Sequence, residues 1–250
     1  MTIIKLDAID STSSYLSALW RQGIFAPPVA VYTSYQTAGR GRRGEQWQSE
    51  PHKNLTISFL LDYCSKDPVQ SFALIMQTSL VVMQLLEQLK VPDLAIKWPN
   101  DIMSGSKKIC GILVERALMG SQSSPFVVGV GININQQRFD ALSHVTSVTL
   151  ETNQVQAVDD LARRLTALVE EVMTQSLVLE DQAYTSLLMR FEEFLYQKGN
   201  HCEVSINQGS FETVKILGVN EDGRLKIQDK RLNLRLLDSA ETQFNYAAKC

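Results

Sequence analysis

The sequence predicts an α+β fold: a mixed β-sheet with helices packed on one side, followed by a small all-β module. Three observations predict it. Strand-like and helix-like segments alternate, but too irregularly for a doubly wound sheet. Residues 71–90 (SFALIMQTSLVVMQLLEQLK) are long and apolar on most faces, the mark of a buried helix. After Gly199 the texture changes to short alternating segments split by turn signals, Asn207-Gln208-Gly209 and Asn220-Glu221-Asp222-Gly223. The expected division is a main domain over 1–198 and a small one over 199–250. A module of that size is hard to stabilise alone, so it should dock on the main domain.

The elements follow in order. Asp10-Ser11-Thr12-Ser13 supplies a helix N-terminus and Gly23 its stop. Residues 29–36 (VAVYTSYQ) are β-branched and aromatic, a strand, and 54–62 (NLTISFLLD) form a second behind Pro51. LAIKWPND, from residue 94, is a short strand cut off by Pro99. Residues 107–116 (KKICGILVER) and 125–135 (PFVVGVGININ) are further strands, with glycines that signal a close backbone approach or a bulge. Two helical periods follow, one starting near Asp159 and one ending near Gly199.

Composition excludes several functions. The chain has 250 residues, 44% hydrophobic and 20% charged, with a net charge of −3. No global basic field advertises nucleic acid or an acidic membrane, and no run approaches the roughly 18 apolar residues of a membrane helix. MTIIKLDAID lacks a basic region ahead of an apolar run, so no signal peptide is expected. Cys64, Cys110, Cys202 and Cys250 are scattered, which predicts reduced thiols in the cytoplasm. His52, His144 and His201 lie too far apart for a zinc motif.

Residues 39–44 read GRGRRG and satisfy G-x-G-x-x-G. A dinucleotide fingerprint must open a helix inside a βαβ unit. Here EQWQSEPHKN follows, with no helical period, and then a strand, so the fingerprint fails its context. No Gly-Lys-Ser/Thr closes a phosphate loop either. What remains is three arginines among three glycines, a flexible cationic segment expected to be poorly ordered alone and to order on an anion. A solvated surface loop is the bland alternative.

Three other clusters carry chemistry. Residues 97–101 (KWPND) put a cation, an aromatic ring, an amide and a carboxylate at a strand end. Asp101 there could bind Mg²⁺, directly or through water, and the same residues serve equally as a structured turn. Lys107-Lys108 stands at the mouth of an apolar strand, where a lysine can neutralise a phosphate or a developing oxyanion. Gly129, Gly131 and the amides of Asn133 and Asn135 alternate along the last strand; they suit a flat ring and a polar ligand, or tight strand packing. Cys110 reads as a buried spacer with no histidine partner nearby in sequence.

Together these residues resemble the biotin protein ligases. The resemblance is carried by DSTS at 10–13, QTAGRGRRGEQW at 36–47, KWPND at 97–101, KKICGILVE at 107–115 and GVGIN at 129–133, in that order and over nearly the whole chain. It implies a class II synthetase-like catalytic domain and an SH3-like carboxy-terminal barrel. It also implies a two-step reaction: biotin and ATP, with Mg²⁺, give biotinyl-5′-AMP, and biotin then passes to a lysine of a biotin carboxyl carrier protein such as that of acetyl-CoA carboxylase. By the same resemblance Ser11, Thr12, Ser13, Gln36, Gly39, Arg40, Gly41, Arg42, Lys108 and Gly111 bind biotin. Arg42, Arg43, Trp47, Asn100, Lys108, Gly131 and Asn133 meet ATP or the adenylate. Lys108 and Arg42 are the catalytic expectation, and the GRGRRG segment is a mobile lid.

Two departures stand out. His52 occupies a turn position where many members carry glycine, so that turn is expected to be strained or built differently. Ser13 stands where many have asparagine. Only nine residues precede Asp10, leaving no room for the DNA-binding domain of bifunctional members, so a monofunctional ligase without nucleic-acid binding is expected. An exposed edge of the main sheet could pair with the carrier or with a second copy as a homodimer. A lipoate-ligase or octanoyl-transferase-like enzyme, or a non-catalytic biotin sensor, are the alternatives.

Overall fold

The computed structural model describes residues 1–62, 68–117, 125–139, 142–175 and 181–245; Cys64 and Cys250 lie outside them. In chain order the first elements are β1 (Thr2–Leu6), α1 (Thr12–Arg21), β2 (Val29–Thr33), β3 (Gly39–Arg40), β4 (Gln46–Trp47) and β5 (Leu55–Leu61). Next come α2 (Pro68–Gln88), β6 (Leu94–Lys97), β7 (Asp101–Ser104), β8 (Lys107–Arg116), β9 (Phe126–Ile132), α3 (Val148–Thr152), α4 (Val158–Gln175) and α5 (Asp181–Glu193). The last are β10 (His201–Ile206), β11 (Phe211–Val219), β12 (Leu225–Gln228), β13 (Leu234–Leu237) and β14 (Thr242–Phe244).

A seven-stranded sheet has the order β1-β2-β5-β9-β8-β7-β6. Only β1 and β2 run parallel; the other neighbours are antiparallel. The pleat sorts its residues by period two. Leu55, Ile57, Phe59 and Leu61 of β5 join Phe126, Val128, Val130 and Ile132 of β9 in one core with α2, α4 and α5. Phe59, Phe126 and Phe191 are among the largest fully buried side chains, each worth about 2 kcal/mol of burial.

α1 lies on the opposite face, where the one-sided expectation placed no helix. Its Leu16 packs with Val29, Val31, Leu60 and Val127 in a second, smaller cluster. The reason is again the pleat: β2 is buried on both faces, so it needs cover on both sides. Strands β1, β7 and β14 and the short α3 were not expected. At three to five residues each, they are too short to display a period of their own.

Strands β10–β14 form a five-stranded antiparallel sheet in the order β13-β12-β11-β10-β14. Its Val204, Val214, Ile216, Leu225 and Ile227 belong to the same core as α2 and α5. Phe72 of α2 meets Phe191 of α5 edge-on, with ring centroids 5.6 Å apart. Gly223 sits against Phe72, and a Cβ there would lie 2.7 Å from the ring. Trp98 Nε1 donates to the Gly223 carbonyl at 2.8 Å, and the Tyr184 hydroxyl donates to the Glu221 carbonyl at 2.5 Å. These contacts seat the small sheet beside the KWPND turn.

Candidate active site

The core helices cover one face of the large sheet, and the site is built on the other. There β5 presents Thr56 and Ser58, β9 presents Gly129 and Gly131, and β8 presents Gly111. Small and hydroxyl side chains leave a hollow that α1 closes at one end. Ser11 caps α1, its hydroxyl accepting from the Ser14 N–H at 3.4 Å. Thr12 donates to Gln36 Oε1 through both its N–H (2.9 Å) and its hydroxyl (3.0 Å). The Thr12 and Ser13 hydroxyls lie 2.8 and 2.9 Å from the Ser58 hydroxyl. Gly129 makes room for this cluster, since a Cβ there would stand 2.8 Å from Ser13 Oγ.

The GRGRRG segment is folded, not the poorly ordered loop its composition suggested. β3 and β4 pair as a hairpin, with Gly39 opposite Trp47 and Arg40 opposite Gln46. The Gly41 N–H donates to the Glu45 carbonyl at 2.7 Å and the Glu45 N–H to the Arg42 carbonyl at 3.0 Å. The tip turns through left-handed φ of 55° at Arg43 and 79° at Gly44. Side chains fasten it further. Trp47 lies on the glycines of β9 and β8: a Cβ on Gly131 would come within 2.5 Å of its ring, and one on Gly111 within 3.2 Å. The flat ring expected on this backbone is therefore the chain's own indole. Arg40 pairs with Glu115 at 2.5 Å, both side chains being partly exposed. Arg42 donates to Asn100 Oδ1 at 3.3 Å and to Ser239 Oγ at 2.7 Å. Burial, with Arg43 adjoining, holds the Arg42 guanidinium below its ordinary pKa, which marks a partly desolvated cation.

At the far end Lys108 Nζ is 2.7 Å from Asp101 Oδ1, with side chains 23% and 13% exposed. The same ammonium stands 5.8 Å from the centre of the Trp47 ring. A bulge sets this geometry, because the register of β7 against β8 slips between Ile102 and Met103. The Lys108 N–H donates to the His144 carbonyl at 2.8 Å, and the Thr146 N–H donates back to the Lys108 carbonyl at 2.9 Å. Burial, with Lys97 and Lys108 nearby, lowers the His144 pKa. Burial pushes the Cys110 thiol far up, so its thiolate form is suppressed, in line with a spacer role.

A cavity of about 780 Å³ joins these parts. Every predicted site residue lines it except Gly39 and Asn133. Gly39 is in the hairpin, opposite Trp47, where a Cβ would meet the Trp47 carbonyl at 2.4 Å. Asn133 is buried and its Nδ2 donates to the Thr146 carbonyl at 3.0 Å, which fastens the segment that pairs with Lys108. His52 keeps the left-handed turn of a glycine, at φ 61°, with its N–H on the Ser34 carbonyl at 2.7 Å; that conformation costs about 1 kcal/mol in a non-glycine. Among the described residues, no group of three His, Cys, Asp or Glu could hold a metal. Asp101, already paired with Lys108, fits only a cation that brings its other ligands with it.

Residues 6–133, half of the chain, match the model of the biotin/lipoate A/B protein ligase family. The chain belongs to this family. Among curated relatives it is 34% identical over 139 residues to the bifunctional ligase/repressor BirA of Escherichia coli (strain K12), covering 56% of the chain and 42% of the relative. It is 34% identical over 131 residues to the biotin–[acetyl-CoA-carboxylase] ligase of Mycobacterium tuberculosis, covering 50% of the chain and 47% of the relative. The chain thus spans less than half the length of each. The solved biotin protein ligase of Aquifex aeolicus, in complex with biotin and ATP, superposes with a TM-score of 0.75 at 24% identity over 98% of both chains, so this member of the biotin/lipoate ligase family has that protein's fold.

The family member's cavity also contains residues that its sequence motifs did not reveal. Thr56 and Ser58 carried a signal, hydroxyls at alternate positions of an apolar strand. Leu113 lies inside the KKICGILVE motif, two residues past Gly111, at a position to which the motif assigns no ligand role. Ser239, Gln243 and Phe244 come from the small sheet, and no local pattern announces them.

Proposed function

We propose that this chain activates biotin with ATP to biotinyl-5′-AMP, releasing pyrophosphate, and passes biotin to a lysine of a biotin carboxyl carrier protein. The observation that carries the reading is the two-ended cavity. One end offers the hydroxyls of Thr12, Ser13 and Ser58 and the amide of Gln36, donors and acceptors that suit the ureido ring of biotin. These groups already bond to one another, and a ureido ring adds partners for their remaining donors and lone pairs where a dithiolane ring adds none, which favours biotin over lipoate. The other end gathers Lys108, Arg42 and the Trp47 indole, which suits a carboxylate, a phosphate and a base.

The chemistry follows from charge. The biotin carboxylate must attack the α-phosphate of ATP, and two anions repel. Lys108 can leave Asp101 for the reacting oxygens, while Arg42 reaches the α-phosphate from the hairpin; both offset the charge that gathers in the transition state. Asp101 would hold a Mg²⁺ ion brought in with the nucleotide, and the ion would supply further charge neutralisation there. Trp47 covers the nucleotide end with its ring, while its Nε1 is buried and has no hydrogen-bond partner among the described residues. The hairpin keeps water from the labile mixed anhydride until the carrier lysine attacks its carbonyl and AMP leaves.

In this reading residues 1–198 form the catalytic domain, 199–250 a second domain that walls the cavity, and the enzyme works in the cytoplasm. The test is the mass of a purified carrier domain after incubation with biotin, ATP and Mg²⁺. One biotinyl addition at one lysine is expected. Labelling by lipoate in preference to biotin would move the assignment to the lipoate branch of the family. Tight biotin binding with no ATP-dependent transfer would make the protein a sensor.

A further inference from the structure

Arg42 is held by two side chains from distant parts of the sequence. Asn100 belongs to the turn between β6 and β7, and it is itself fixed, its Nδ2 donating to the Ile112 carbonyl at 2.6 Å. Ser239 belongs to the small sheet, in the turn between β13 and β14. Its bond to Arg42, at 2.7 Å, is the shorter of the two and joins residues 197 apart in sequence. The turn that carries Ser239 is internally braced. The Thr242 hydroxyl donates to the Asp238 carbonyl at 2.7 Å, and the Ala240 N–H donates to Asp238 Oδ1 at 2.6 Å. Ser239 therefore stands on a fixed platform, while the hairpin tip it grips hangs on two-residue strands.

We infer that Ser239 is a positioning residue: it holds the Arg42 guanidinium over the cavity, so the small sheet controls how long the activated acyl group is retained. The inference rests on the ligase reading above for its consequence, but its mechanical part does not. A guanidinium presents its donors in a rigid planar fork. With Nη1 on Asn100 and Nη2 on Ser239 the plane is fixed at two points. With one point removed, the fork pivots about Asn100 and the hairpin tip is free to lift.

The test is Ser239→Ala, with Ser239→Thr as the conservative partner. The quantity measured is a ratio: biotin placed on a bystander protein such as serum albumin, divided by biotin-dependent ATP–pyrophosphate exchange. Losing a hydrogen bond to a charged group should raise that ratio about tenfold in Ser239→Ala, and Ser239→Thr should restore it. A loss of folding would lower both numbers together and leave the ratio where it was. In the Arg42→Gly background, Ser239→Ala should add nothing further. An unchanged ratio in Ser239→Ala, or the same increase with and without the Arg42 side chain, would overturn the inference. Hydrogen–deuterium exchange of residues 40–46 tests the link without any activity: it should quicken in Ser239→Ala, and unchanged protection would refute the link. Absence of biotin-dependent exchange in the unaltered protein would sink the ligase reading instead, and the deuterium result would still decide the role of Ser239.

Discussion

Trp47 rests on Gly131 so closely that the glycine's missing Cβ is what admits the ring: a Cβ there would stand 2.5 Å from the indole. The glycine of one sheet thereby fixes the root of the hairpin on the other side of the cavity. Gly131→Ala is expected to push the indole away, costing roughly 1–3 kcal/mol by overpacking. Tryptophan fluorescence should shift and ATP affinity should fall about tenfold or more in titration calorimetry. Unaltered fluorescence together with unaltered affinity would show that the ring has another resting place.

Lys108→Ala should slow the first chemical step by about 10²–10³-fold, the usual effect of removing one preorganised charge stabiliser. Pyrophosphate exchange reads it directly. The variant also leaves the Asp101 carboxylate without its 2.7 Å partner, so stability should fall as well. The double variant with Asp101→Asn should regain the stability and not the exchange. Exchange at the unaltered rate in Lys108→Ala would remove this lysine from the reaction.

Arg42→Gly should still make the adenylate, more slowly because one charge stabiliser is gone, and lose it to solution. Streptavidin blots of added bystander protein are expected to become intense while carrier labelling loses its selectivity. Strict carrier specificity in this variant would show that the hairpin arginine does not retain the intermediate.

His144 predicts a pH effect. Its folded pKa lies below the ordinary value of 6.5, through burial and the charges of Lys97 and Lys108. The unfolded chain therefore binds the proton more readily, so stability rises with pH across this region and is lost as pH falls through 6.5 and below. The backbone carbonyl of His144 holds Lys108, which should make the local consequence visible in activity. Thermal melts at pH 7.5 and 5.5 should show a drop in Tm that is smaller in His144→Gln. An equal drop in both proteins would place the acid sensitivity elsewhere.

Much of this molecule was legible in its letters, and the reasons are physical. The strands β8 and β9 could be read because β-branched runs declare a strand and the glycines in them declare a close approach, although β9 ends at Ile132, short of the expected 135. The motif residues could be gathered because each marks a strand end or a turn that faces the same way. The hairpin was misjudged because glycine content speaks for freedom, while its order comes from Trp47 settling on β9 and from Arg42 finding Asn100 and Ser239. No window of sequence contains both ends of such contacts. The second face of the sheet was hidden for a similar reason: α1 is amphipathic, but its pattern cannot say which side of β2 it covers. Asn133 was drawn into the ligand site by its neighbours in GVGIN, whereas its amide is used to hold Thr146.

The pleat of the large sheet separates two kinds of mutational sensitivity by parity. On β9 the even-numbered positions, Phe126 to Ile132, enter the helix-covered core, while Gly129 and Gly131 form the floor of the cavity. On β5 the assignment inverts, with Leu55, Ile57, Phe59 and Leu61 in that core and Thr56 and Ser58 on the floor. A deep substitution scan of these two strands should therefore resolve into interleaved stripes, one scored by melting temperature and the other by turnover. Selection for a sturdier protein and selection for a different acyl substrate would then act on alternate letters of the same strand.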